Sequence, residues 1–271
     1  MNAHILFPTD FSEAAQHAFD YTVKLAEALD TQIDLMSVYH LPIGDASRTA
    51  PHQIDEMLRQ RRGEVMKKLN ELADSAPAAR IGQMRVDYGM FVYQEIVDVA
   101  SKNGHQLIAM GTKGERNAFE KLLGSVTTHT MMNAPCPVLA IPIDAQYRPV
   151  KNIAYATNFE PSDEQAIEKL NSLSEELQAK LHFLHVDTAK KYGLTEHYVM
   201  VEDYPRPFSD FSVINHESAT EGIDEYVKDH AIDWLALFLP DRKFWERLLH
   251  RSFTKKMTFH SKVPTLVFGE G

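Results

Sequence analysis

The sequence predicts an α/β protein built from two tandem, doubly wound domains, each a five-stranded, mainly parallel sheet with helices on both faces. Three observations predict it. Short apolar runs alternate with stretches of helical periodicity. The alternating pattern occurs twice along the 271 residues. The fourth apolar run is followed by a cluster of glycines, where sheets of this class bind ligands.

The repeat is read directly from the chain. Residues 5–40, ILFPTDFSEAAQHAFDYTVKLAEALDTQIDLMSVYH, align without a gap to residues 153–188, IAYATNFEPSDEQAIEKLNSLSEELQAKLHFLHVDT. Thr9-Asp10-Phe11 meets Thr157-Asn158-Phe159, and Ala18, Leu25, Leu29 and Val38 meet Ala166, Leu173, Leu177 and Val186. Each segment opens on a short apolar run and a polar turn. It continues with apolar residues at helical spacing, such as Ala166, Ile167, Leu170, Leu173 and Leu177, and closes on a second apolar run, which reads as β-α-β.

Further along, helical patterns over 93–103 and 217–230 precede the short apolar runs Ile108-Ala109-Met110 and Leu235-Ala236-Leu237. Pro137-Val138-Leu139-Ala140-Ile141 and Pro264-Thr265-Leu266-Val267-Phe268 read as the final strand of each unit. The halves differ in the middle. Residues 51–75 form a long charged helical pattern, whereas the counterpart around 188–210 contains Tyr204-Pro205-Arg206-Pro207 and reads mostly as loop. Domains are expected over 1–144 and 149–271, with Ala145 to Pro149 as the linker. Strands alternating with helices, joined by right-handed crossovers, make each sheet doubly wound and place ligands at the carboxyl ends of its strands.

Composition narrows the function. An apolar fraction of 44% supports a real core, and 24% charge is ordinary for a globular chain. The net charge of −10 argues against bulk binding to nucleic acid or acidic membranes. The single cysteine, Cys136, excludes an internal disulfide framework and a multi-thiolate metal site. No apolar run approaches the ~20 residues of a membrane helix. The N-terminus shows no basic region leading into a long apolar stretch, so the chain is expected to be cytoplasmic.

The motif with chemical content is Met110-Gly111-Thr112-Lys113-Gly114, followed by Gly124-Ser125-Val126. Glycine at a strand's exit lets backbone N–H groups approach a ligand without a Cβ in the way. Ser125 opens a helical stretch as a favoured N-cap type, and a helix N-terminus with unpaired N–H groups suits a phosphate. The hydroxyls of Ser125 and Thr127 offer further donors. Neither G-x-x-x-x-G-K-[ST] nor a G-x-G-x-x-G after the first strand is present, so P-loop and dinucleotide fingerprints are excluded. Asp10 has two readings: N-cap of the helix starting near Ser12, or an acceptor for ligand hydroxyls and amines. Lys113 and Arg116 either neutralise phosphate charge or are solvated loop residues.

The pattern G-x2-G-x9-G-[ST], complete here as Gly111, Gly114, Gly124 and Ser125, resembles the ATP-binding signature of the universal stress protein family. The resemblance implies a Rossmann-like fold similar to adenine nucleotide alpha hydrolases and a stress-response role. It implies an ATP site in the first domain, for ATP or else ADP or AMP, with Mg accompanying the nucleotide. It places Asp10 near adenine and ribose, a backbone group of Val38 against adenine, and Val126 behind the serine. Domains of the family pair through their last strands, so 137–141 and 264–268 are expected to pair within the chain as a pseudo-dimer, with a homodimer also open.

The second half departs from the motif. Asn158 replaces Asp10, Phe238 and Asp241 align with Gly111 and Gly114, and the third glycine is lost near His250-Arg251-Ser252. A phenyl ring and a carboxylate at those positions oppose a nucleotide, so this half is expected to be structural or regulatory. No catalytic residue is assigned, because no base accompanies Ser125. A slow ATPase or phosphotransferase, and a nucleotide-free interaction scaffold, are the alternative functions.

The other constellations read as structural. No metal site is expected among the 13 histidines: His182 and His185 sit three apart on a strand and face opposite sides. Cys136, between two prolines, reads as a packed thiol, and Arg59 to Glu64 as an exposed helix face.

Overall fold

A computed structural model describes residues 4–41, 51–112, 125–157, 164–188, 210–239 and 263–269. In the first half the elements run β1 (Ile5–Pro8), α1 (Glu13–Ala28), β2 (Ile33–Tyr39), α2 (Pro51–Asp74), β3 (Ile81–Tyr88), α3 (Val92–Asn103), β4 (Leu107–Gly111), α4 (Ser125–Asn133) and β5 (Val138–Ile141). In the second they run β6 (Asn152–Ala156), α5 (Glu164–Glu176), β7 (Lys180–Asp187), β8 (Asp210–Asn215), α6 (Ala219–Asp229), β9 (Trp234–Leu239) and β10 (Thr265–Gly269). The counterpart of α2, over 189–209, lies outside the described residues.

The described strands form one sheet in the order β3-β2-β1-β4-β5-β10-β9-β6-β7-β8. Pairing is parallel within each half. The registers repeat: Ile5 lies between Ile33 and Leu107, and Ile153 lies between Leu181 and Trp234. β5 and β10 meet antiparallel, with Leu139 opposite Leu266, Ala140 opposite Thr265 and Val138 opposite Val267. The two final strands thus pair within the chain, and each covers an edge that would otherwise present unpaired backbone groups.

Local signals explain the elements near the site. Ser12, in extended conformation, caps α1 by accepting from the Ala15 amide at 3.2 Å. The helix buries Ala15, Ala18, Phe19, Thr22, Leu25 and Ala26, a stripe with the period of a helix resting on a sheet. α3 ends at Gly104, whose φ of 67° is the left-handed cap conformation that glycine adopts without Cβ strain. The central strands are buried on both faces, and Ile5, Leu6 and Phe7 are all at most 2% exposed.

On one face of the sheet a single apolar core runs beneath α1, α2 and α5 and crosses from one half to the other. On the opposite face the cores are separate, one beneath α3 and α4 and one beneath α6. The shared core includes a buried hydrogen bond from the Trp234 indole to the Tyr21 hydroxyl. The segment expected to be a linker is docked on it. Ala145 is buried and its carbonyl accepts from His17 Nε2 at 2.6 Å, and Tyr147 packs edge-on against Tyr21.

Candidate functional site

The order of strands reverses between β1 and β4, and a cleft of about 270 Å³ opens there at their carboxyl ends. It gathers Asp10 after β1, Val38 near the end of β2, Gly111 at the end of β4, and Ser125 and Val126 at the start of α4. Of the residues singled out in the sequence, Asp10, Val38, Gly111, Ser125, Val126 and Thr127 therefore share one cleft. Gly114 and Gly124 lie outside the described residues, as do Lys113 and Arg116.

The turn carrying Asp10 is held by its neighbours. The Thr9 amide donates to Met36 O at 2.8 Å, and Ser37 Oγ donates to Thr9 O at 2.9 Å. The amide of Phe11 donates to Thr9 Oγ1 at 3.0 Å, and the amide of Ser12 donates to Asp10 Oδ1 at 3.0 Å. Phe11 has a φ of 62°, an uncommon conformation for a bulky side chain, which costs energy and persists only where the surroundings impose it. Asp10 is exposed and does not cap α1. That role belongs to Ser12, and Asp10 instead fixes the Ser12 amide, which corrects the capping reading of Asp10.

Gly111 is required by packing. A Cβ there would lie 2.6 Å from the carbonyl oxygen of Ala14 and 2.9 Å from its carbon. The absence of a side chain lets the first turn of α1 close onto the end of β4, so the start of α1 and the exit of β4 converge on the cleft. The expectation that Gly111 is small for the ligand's sake thus gains a structural cause. The Thr127 hydroxyl, read from the sequence as a possible ligand donor, donates to Gly111 O at 3.4 Å.

Sequence reasoning missed Thr9, Ser12, His40, Val92 and Ile96, which also line the cleft. His40 and Ser12 sit just beyond strand ends, and the strand-end rule that found Asp10 applies to them too. Val92 and Ile96 carry no polar signal. With Met36 and Met110 they make an apolar floor, while Asp10, Ser12, His40 and Ser125 supply a polar rim. Such a surface accepts a flat ring against the floor and hydroxyl or charged groups at the rim. The starts of α1 and α4 both meet there, and helix N-termini favour anions.

A second cleft of about 550 Å³ adjoins the first, sharing Asp10, Val38 and His40. α2 forms its other wall through Met57, Arg61, Glu64 and Lys68. Arg61 and Glu64, expected on a solvated face, are indeed exposed and pair at 3.1 Å, yet they also border this space. Lys68 Nζ lies 5.8 Å from the centre of the Phe11 ring.

The other candidates make local contacts. His182 Nε2 is 3.3 Å from Asn152 Oδ1, and His185 Nδ1 donates to Thr157 O at 2.9 Å. The Cys136 thiol is buried, and burial pushes it up to about 12 against a weaker opposing effect of Lys169, so it carries no thiolate at neutral pH. In the second half, Phe238 pairs with Phe268 as Gly111 pairs with Ile141, so a half-buried phenyl ring stands at the glycine's place in the sheet. Asn158, Asp241 and Ser252 lie outside the described residues.

Comparison with known proteins converges on one family. The model of the universal stress protein family matches residues 1–142. Universal stress protein MJ0531 of Methanocaldococcus jannaschii is 29% identical over 139 residues, which is 51% of this chain and 80% of the relative. Universal stress protein MJ0577 of the same organism is 29% identical over 161 residues, covering 52% of this chain and 95% of the relative. The fold of the whole chain is shared with a crystal structure of a universal stress protein from Archaeoglobus fulgidus, at a TM-score of 0.72 and 19% identity, with 100% of both chains covered. The family match spans more than half of the sequence and includes every residue of the cleft, so this chain belongs to the universal stress protein family.

Proposed function

We propose that the first half binds an adenine nucleotide in the cleft between β1 and β4, and that the protein works by binding in a stress response, not by turnover. The carrying observation is the convergence of Asp10, Val38, Gly111, Ser125 and Val126, from four separate stretches of chain, on one cleft. The residues present fit the ligand. The apolar floor takes the adenine ring. The Asp10 carboxylate accepts from ribose hydroxyls or the adenine amine, and the backbone of Val38 meets the ring edge. The phosphates lie against the start of α4 at Ser125, because the first N–H groups of a helix have no partner within it. ATP is the proposed nucleotide, with ADP or AMP as smaller occupants, and Mg would accompany the phosphates. The domains are proposed as 1–144 and 149–271, the second serving a structural or regulatory role because Phe238 replaces Gly111.

Titration calorimetry of the whole chain with ATP and Mg tests the reading. About one site per chain is expected. Asp10→Ala removes a charge-assisted acceptor and weakens binding by roughly tenfold to a hundredfold. Zero sites would remove the proposal, and two would overturn the role given to the second half.

A further inference from the structure

Among the described residues, the large apolar side chains most open to solvent are Met84, Tyr88, Met90 and Phe91, at 38%, 50%, 66% and 59% exposure. All belong to β3 or the turn that follows it. Among the described strands β3 is at the edge of the sheet, paired to β2. It runs for 8 residues without a proline, and beyond a register shift between Ile81 and Met84 it pairs regularly with β2 from Met84 to Tyr88. The regular edge from Met84 to Tyr88, with apolar side chains and no proline, is a template for pairing with another chain.

The side chains of β3 sort by alternation. Val86 is buried in the core beneath α2, and Met84 and Tyr88 share its face. Arg85 and Asp87 lie on the other face, where Arg85 Nε donates to Asp87 Oδ2 at 2.5 Å and Arg85 NH2 donates to Oδ1 at 3.1 Å. Opposite charges two residues apart on one face make the strand self-complementary.

We propose that β3 pairs antiparallel with β3 of a second copy of this chain, about a two-fold axis through Val86. In that register Arg85 faces Asp87 of the partner subunit and Met84 faces Tyr88 of the partner subunit, and symmetry makes each pair twice. The contact is isologous and closes as a dimer. The far edge of the sheet, β8, is a poorer match for β3. Arg85 and Asp87 pair with Met36 and Val38 of β2, while the matching places on β7, Leu184 and Val186, pair with Ser212 and Ile214. β8 therefore offers no charge at those positions, and the complementarity belongs to β3 with itself. This assembly does not depend on nucleotide binding.

Sedimentation equilibrium of the full chain over a dilution series tests it. The expected result is a reversible dimer of the 30.8 kDa chain. Arg85→Asp alone, or Asp87→Arg alone, sets like charges opposite each other and weakens the dimer by about tenfold. The double variant Arg85→Asp/Asp87→Arg restores opposite charges and restores the dimer. Circular dichroism confirms that each variant is folded, and Tyr88→Ser provides an uncharged variant that also weakens association. Monomer at every concentration, indifference to the single reversals, no rescue by the double variant, or growth beyond a dimer would each overturn the proposal.

Discussion

The indole N–H of Trp234 donates to the hydroxyl of Tyr21 at 2.7 Å, joining β9 of the second half to α1 of the first. Trp234 is fully buried and Tyr21 is 4% exposed. Burial raises the Tyr21 pKa above its ordinary value, outweighing the opposite effect of the bond from Trp234.

Tyr21→Phe leaves the buried indole N–H without this acceptor. An unmet buried donor costs about 1–3 kcal/mol. The urea midpoint of the whole chain is expected to fall accordingly. An unchanged midpoint would show that the bond across the seam adds nothing to stability.

Gly111→Ala puts a methyl group 2.6 Å from Ala14 O, so the start of α1 must move or the chain must strain. The expected loss is roughly 1–3 kcal/mol. Nucleotide affinity should fall with it, because the same turn carries Asp10. Gly63→Ala serves as the control: it lies within α2 with nothing within 4 Å of the added Cβ, and is expected to gain about 0.5–1 kcal/mol. Thermal melts of both variants decide the matter, and equal shifts would sink the packing account of Gly111.

Asp34 is the acid whose titration bears on stability. Burial pushes its pKa up. The hydrogen bonds from His105 Nε2 at 3.0 Å, the Gln83 amide at 2.7 Å and His4 Nδ1 at 2.9 Å outweigh that effect, and the pKa lies below its ordinary value. A depressed folded-state pKa contributes stability above the unfolded value of about 3.9, and that contribution is lost as pH falls through the folded value. Asp34→Asn should lower the melting temperature at neutral pH and flatten its decline below about pH 4. Parallel curves for the two proteins across that range would refute the linkage.

Much of the fold was legible because its signals are local. Ala166, Ile167 and Leu170 repeat at helical spacing and are buried in α5 as that spacing requires. The run Leu107 to Met110 ends at a glycine, and β4 ends there as well. The cleft was legible in part, since Asp10 and Gly111 carry the strand-end signal. Val92 and Ile96 were not, because an apolar residue on a helix looks alike whether it lines a cleft or fills a core. The segment from Ala145 to Tyr147 reads as a linker by composition, yet His17 and Tyr21 hold it, contacts that no local pattern encodes.

The sequence by itself determined the alternation of strands and helices, the internal duplication, and the loss of the glycine motif from the second copy, since each depends on residues close together along the chain. Only the tertiary structure decided that Gly111 is small to admit Ala14, that Ser12 caps α1, that Tyr21 meets Trp234, and that β3 is left as an edge among the described strands. Those relationships depend on which surfaces exclude water together, and burial joins residues far apart in the chain according to shape and register, which no window of sequence contains.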